Sequence, residues 1–316
     1  MREPAIVRLL PDGKRLHLHD GPIDLIVQAF GERAQIEAAY AAGARRFVTV
    51  LDELCGELPL LRSPARPGVR LLQGAVAQRM EAAVAPLAGP WFITPMAAVA
   101  GAVAEEILAA MIAAGPLRDA YVNNGGDIAL HLAPGENFRV GMAERPDRLS
   151  LFGTLTISSS DPVRGIATSG WRGRSFSLGI ADAVTVLAER ASAADAAATI
   201  VANAVNLPGH LAITRAPANS IQPDTDLGER MVTREVGQLS KLDAAAALTQ
   251  GAVVAEEMIV AGIIRAAALR LQGQTRVAGA GASKLEPIDT GDFARSFEGT
   301  LLQPVKKHLA GGVAGA

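Results

Sequence analysis

The sequence predicts an α+β fold in a single domain, with antiparallel sheets packed against Ala-rich helices. Helical and alternating stretches come in blocks rather than in strict strand–helix–strand succession. Apolar residues make up 49% of the chain but aromatic residues only 4%, so the core must be filled by small side chains that let helices approach closely. Residues 1–280 carry this pattern; 281–316, ending in "LAGGVAGA", have no strong period and read as a weakly ordered extension.

The elements follow in order. "IVRLLPDGKRLHLHDG" alternates around a PDG turn and predicts an opening β-hairpin. His17 and His19 share one face of it; such a pair could suit a metal, but isolated pairs are more often exposed strand residues. From Pro22 to Leu61 the pattern is mostly helical, and "LRSPARPGVR" breaks it. Two Ala-rich helices are expected near 74–86 and 95–114, the second closed by Gly115-Pro116. A strand-rich stretch follows: 119–132, "NFRVGMAE", "LFGTLTISSS", "RGIATSG" and "DAVTVLAE". Ser192 is expected to cap a helix running to about Asn206. The short strand "MVTREVGQL" and a long helix over roughly 243–272 complete the fold.

Several classes are disfavoured. A formal charge of −2 offers no basic field for nucleic acid. With one cysteine, Cys55, no intrachain disulfide or CxxC zinc site can form. The N-terminus carries charges and no apolar run of the signal-peptide kind. Glu105–Glu106 and Glu256–Glu257 interrupt the two longest apolar stretches, which argues against membrane spans. The expectation is a soluble cytoplasmic protein acting on a small molecule or another protein.

Three stretches could carry chemistry. In "NNGGD", Gly125 and Gly126 suit a hairpin turn because they tolerate positive φ. They would equally let a ligand lie against bare backbone, with Asn124 and Asp127 beside it. In "SAADAAATIVANAV", Asp195 and Thr199 are four residues apart on one helix face. Their hard oxygens suit Mg²⁺, although an Asp in a first helical turn is also favoured by the macrodipole. In "RGIATSGWRGRSFSLGIADAVTV", Thr168, Ser169 and Gly170 form a polar turn. Arg172 and Arg174 follow it, two guanidiniums fit for phosphate or carboxylate or simply for solvent.

Taken in order, "PMAAVAGAVAEEIL", "NNGGDIAL", "GIATSG", "AVTV" and "ADAAAT" resemble the ApbE superfamily, whose best-known members are Mg²⁺-dependent FAD:protein FMN transferases. The resemblance covers roughly residues 95–205. It implies an α+β fold that binds FAD or a related flavin nucleotide near the GGD turn. It also implies Mg²⁺ held by Asp195, Thr199 and a backbone carbonyl near Ala97, and a protein acceptor as partner.

The chain departs from the transferases at definite places. Ala100 stands where their Lys falls, and the segment between the TSG turn and VTV is short and lacks their His. Asp182 is the candidate base there, although an Asp at that place can also cap a strand. Residues 1–90 show no counterpart of their N-terminal flavin-binding region. "TSGWRGRS", "ADAAATIVANAV" and "DLGERMVTREVG" look closer to a shorter branch of the superfamily. The alternative function is a non-catalytic flavin- or cofactor-binding accessory protein. The sequence leaves the oligomeric state open.

Overall fold

Alternation of apolar and polar residues on either side of Pro11-Asp12-Gly13 folds the start of the chain into β1 (Ile6–Leu9) and β2 (Leu16–Asp20). Gly13 sits at φ +67° in their turn, and Asp12 Oδ1 accepts the N–H groups of Lys14 and Arg15. The structure is a computed structural model and describes residues 3–145, 148–279, 285–287 and 302–304.

Next come β3 (Ile23–Phe30), α1 (Arg33–Gly56), α2 (Leu58–Leu61) and α3 (Ala75–Val84). A short 3₁₀ turn (Pro95–Ala98) leads into α4 (Val99–Ala113). The strands β4 (Asp119–Asn124), β5 (Asp127–Leu132), β6 (Asn137–Arg145), β7 (Arg148–Ser158), β8 (Gly165–Ser169) and β9 (Ala183–Ala188) precede α5 (Ala191–Ala204). The chain continues through β10 (Ile213–Pro217), α6 (Ala218–Ile221), β11 (Met231–Val236), α7 (Lys241–Val260), β12 (Ala266–Leu271) and β13 (Gln274–Gly279). Two short strands, β14 (Leu285–Pro287) and β15 (Leu302–Pro304), lie beyond.

Nine strands form one antiparallel sheet in the order β1-β2-β3-β4-β5-β8-β9-β12-β13. Its first face carries the helices and the larger core, with Phe47, Met80, Ile107, Met111 and Val201 fully or almost fully buried. Its other face packs on a four-stranded sheet, β14-β7-β6-β15, through Tyr121, Ile128, Phe138 and Ile157. Covered on both sides, β9 (AVTVLA) is buried at every position, which explains its continuous apolar run. The predicted α+β class with antiparallel sheets is the class observed.

Three local expectations change. Residues 23–30 form a strand rather than the start of a helix, and their burial alternates strictly along "IDLIVQAF". The last helix stops at Val260; Gly262, at φ +73°, turns the chain, and 266–271 becomes a buried strand. "AAALRL" suits a buried strand as well as a helix, so periodicity could not separate them. Ser192 lies one residue inside α5 instead of capping it: its N–H and Oγ both donate to Glu105 Oε1, at 2.8 and 2.9 Å. The expected tail, 281–316, falls almost wholly outside the described residues.

Pro95–Ala113, 19 residues, contains an 18-residue window of mean hydropathy 1.8, long and apolar enough to cross a membrane. In this fold it is an interior element, packed against α1, α3, α5, β4 and β5. Its two carboxylates have partners: Glu106 accepts from Arg46 at 2.8 Å and Arg79 at 3.0 Å, and Glu105 pairs with Arg79 at 3.4 Å.

Candidate functional site

The site is built around the β4–β5 hairpin. Asn124 pairs with Asp127 across a two-residue loop whose glycines stand at φ +67° and +117°. Positive φ at both central positions defines the tight turn that matches strand twist. Asn123 Oδ1 accepts the Gly126 N–H at 2.8 Å, and Asn124 Nδ2 donates to the Ala100 carbonyl at 3.2 Å. A side chain on Gly125 would be strained, and its Cβ would lie 3.7 Å from Arg174 Nη1. The Arg174 guanidinium therefore runs along the bare turn.

Strand alternation sends Asp127 to the helix-bearing face, the side of Ala129 and Ala167. On that side α5 packs against β5, and the charge of Asp127 acts on the carboxyl group of Asp195. Oδ1 of Asp127 accepts the Thr168 N–H at 3.2 Å, and Asp195 Oδ2 accepts the Gly101 N–H at 3.0 Å. Burial pushes Asp127 up to about 7, against the hydrogen bond from Thr168. Burial, then repulsion by Asp127, raises Asp195 well above the usual carboxylate range, although the N–H groups of Gly101 and Ala100 oppose both.

Close backbone approach makes this arrangement possible. A Cβ on Gly101 would fall 2.3 Å from the Ala191 carbonyl oxygen, so α4 touches the start of α5 there. One on Gly165 would fall 2.1 Å from the Arg190 carbonyl carbon, where β8 passes beneath the same helix start. Together the two glycines seat α5 so that Asp195 reaches the first turn of α4. Thr199 lies one helical turn beyond Asp195, and the turn containing Ala97 packs on α5.

The loop after β8 is organised by Asp182. Its Oδ2 accepts the Gln272 N–H at 2.6 Å and its Oδ1 accepts Trp171 Nε1 at 3.3 Å. Arg172 lies over the Trp171 ring at 3.9 Å, with Nε 3.7 Å from Asp182 Oδ1. That Nε is buried and makes no hydrogen bond. Gly170 presses on the Asp182 carbonyl, which a Cβ would approach to 2.4 Å. Ser169 is half-buried at the end of β8.

The predicted residues thus divide between two faces. Asp127 and Asp195 lie on the helix side, whereas Thr168 points to the opposite side, where its Oγ1 is 3.0 Å from Thr185 Oγ1. Those two threonines line a cleft of about 240 Å³ between the sheets, together with Asp24, Asn123, Gly125 and Gly126. The double-glycine turn is the edge where the two faces join. Sequence reasoning missed Asn123, Thr185 and the Ala100–Gly101 backbone. "NNGG" does contain a signal for Asn123, a side chain able to accept from the turn it precedes; backbone donors leave no sequence signal.

A family model that covers most of the chain places this protein in a class, the ApbE-like superfamily. More particularly, the chain belongs to the family described as AbpE bacteria, whose model matches residues 7–277. It is 38% identical over 182 residues to a UPF0280 protein of Methanopyrus kandleri, spanning 57% of this chain and 69% of that one. It is 37% identical over 138 residues to a UPF0280 protein of Methanothermobacter thermautotrophicus, and 40% over 126 residues to one of Methanococcoides burtonii. These two alignments span 43% and 39% of this chain and 51% of each relative. The crystal structure of Pseudomonas stutzeri flavinyl transferase ApbE, apo form, aligns over 89% of this chain and 95% of its own, with 11% identity and a TM-score of 0.40. That likeness is too distant to bear on the chemistry.

Proposed function

We propose that this protein binds a flavin nucleotide, FAD or a close relative, together with Mg²⁺ at the double-glycine turn, and carries out transfer or cleavage at the nucleotide phosphates. The observation that supports this most is the placing of Asp127 and Asp195 on one side of the sheet, near enough for the charge of one to act on the other. Two half-buried carboxylates that act on one another are a standing electrostatic cost that a divalent cation relieves. Their oxygens, the Thr199 hydroxyl and the Ala97 carbonyl are all hard donors of the kind Mg²⁺ prefers. When bound, the ion supplies positive charge against phosphate oxygens and the leaving group.

The chain's own residues have separate tasks in this reading. Gly125 and Gly126 keep the turn free of side chains, so a phosphate or ring can approach the backbone. Asn124 ties that turn to the start of α4 through Ala100. Arg174, lying along the turn, and Arg172, stacked on Trp171, bring two guanidiniums suited to phosphate. Thr168 and Ser169 supply polar groups at the end of β8. A protein acceptor belongs to the transfer form of the reaction.

A second reading, a non-catalytic flavin-binding accessory protein, is favoured by two particulars. Asp182, the candidate base, spends both carboxylate oxygens on Gln272 and Trp171, and Ala100 stands where the transferases carry Lys. The test is a thermal shift with FAD and Mg²⁺, followed by chromatography for FMN or AMP. Stabilisation with product supports the enzyme, and stabilisation without product supports the accessory protein. No stabilisation by FAD with Mg²⁺ removes the flavin reading altogether.

A further inference from the structure

Apart from the carboxylate floor, the opening hairpin gathers a second set of ligand-type side chains. His17 and His19 are two residues apart on one face of β2, and Asp24 stands opposite His19 on β3. His17 Nε2 lies 3.3 Å from Asp24 Oδ1, and His19 Nδ1 lies 3.2 Å from Asp24 Oδ2. One ligand atom from each residue falls within 4.8 Å of the other two. The side chains are 13%, 39% and 36% exposed, so the group is sheltered but reachable.

The structure assigns to His17, His19 and Asp24 a binding site for a first-row transition-metal ion of the Zn²⁺ class, at the rim of the cleft behind the double-glycine turn. Two imidazoles and a carboxylate are borderline donors, which select such ions over Mg²⁺ or Ca²⁺. Tetrahedral coordination with bonds of about 2.0–2.2 Å puts neighbouring ligand atoms about 3.3 Å apart. The two observed imidazole–carboxylate separations, 3.3 and 3.2 Å, are of that order but run to different oxygens of Asp24, so a small rotation of the carboxylate turns one oxygen to the ion. Three protein ligands leave a fourth position for water. Asp24 also lines the cleft beside Asn123, Gly125 and Gly126, which places the ion next to the nucleotide turn.

One neighbour opposes the ion, and this makes the assignment sharper. Arg8 Nε donates to His17 Nδ1 at 3.1 Å. A neutral His17 accepting there carries its proton on Nε2, facing Asp24. Coordination through Nε2 therefore moves that proton to Nδ1 and displaces the Arg8 guanidinium, which is on an exposed edge-strand residue and can swing into solvent.

The test is a titration of the full chain, free of any histidine tag, with Co²⁺ and with Zn²⁺ in competition with a chromophoric chelator. The wild type is expected to take up one equivalent and to show the intense visible band of low-coordinate Co²⁺. His19→Ala and Asp24→Asn should each weaken binding at least about 100-fold, since even outer partners of metal ligands are worth about 10–100-fold. Arg8→Ala should tighten binding roughly fivefold by removing a unit positive charge a few ångströms away. His210→Ala should leave it unchanged. His19 is partly exposed, so its variant is expected to fold, which circular dichroism checks. Absence of the band in the wild type, or wild-type affinity in His19→Ala or Asp24→Asn, overturns the assignment.

Discussion

The backbone N–H of Gly101 donates to the Asp195 carboxylate at 3.0 Å, across a separation of 94 residues. This bond joins the first turn of α4 to the face of α5 on which Thr199 also lies. It exists because Gly101 has no Cβ to strike the Ala191 carbonyl. Gly101→Ala is therefore expected to force the two helices apart. Overpacking against backbone costs about 1–3 kcal/mol, and the cost should appear as a lower Tm. Any Mg²⁺ response should shrink with it. A variant as stable as the wild type would show that the helices do not meet in this way.

Asp127 and Asp195 repel one another in the protein without a cation. Asp127→Asn keeps an oxygen to accept from Thr168 N–H and removes one of the two charges. At pH 8 it is expected to raise the Tm of the metal-free protein, because it removes a desolvated charge and its repulsion of Asp195. The same change should abolish stabilisation by added Mg²⁺. Thermal denaturation in chelator and in Mg²⁺ reads both effects, and a Tm that falls in chelator would contradict the repulsion.

The turn at "NNGGD" was legible in the sequence: a hairpin whose glycines leave the backbone bare. So were the Asp–Thr spacing on α5 and the antiparallel strand blocks. The strand at 23–30 was hidden because "IDLIVQAF" lies between a turn and a true helix, and its alternation spans only eight residues. The strand at 266–271 was hidden because small apolar residues satisfy a helix and a doubly covered strand alike. The placing of Asp127 and Asp195 on one side of the sheet had no local signal at all. It depends on β5, β8 and two helices being held together by Gly101 and Gly165, residues that the sequence marks only as glycine.

Asp182 distinguishes the two functional readings. If it positions the loop, Asp182→Asn turns one N–H donor towards Gln272 N or Trp171 Nε1 and loosens the Trp171–Arg172 stack. The expected result is a red-shifted Trp171 emission, read in a Trp91→Phe background, and weaker nucleotide binding. If it acts as a base, the emission should stay put while turnover falls and its acid limb disappears.

Acid should destabilise the helix layer at a definite place. Burial alone would raise Glu106, but hydrogen bonds from Arg46 and Arg79 outweigh it and hold the carboxyl below its usual 4.5. Glu53, bonded through both oxygens to Arg46, is held down as well. A carboxylate whose folded value is depressed stabilises fully above its unfolded value and loses that contribution as pH falls through the folded one. Stability should therefore decline below about pH 4.5, the unperturbed carboxylate range. Glu106→Gln should cost about 2 kcal/mol at pH 7, between the exposed and the buried limits for such pairs. It should also flatten the acid limb of a stability–pH curve, and an unchanged limb would place the acid sensitivity elsewhere.

The account rests on a cation-dependent nucleotide site at the Asp127–Asp195 floor. The direct measurement is a calorimetric titration of the full chain with FAD, in Mg²⁺ and in chelator, for the wild type and Asp195→Ala. The account predicts saturable binding to the wild type in Mg²⁺, at least about tenfold weaker in chelator, a difference of about 1.4 kcal/mol. It predicts that Asp195→Ala removes this dependence on Mg²⁺. FAD binding that is the same in Mg²⁺ and chelator, or no binding by the wild type in either, would contradict it.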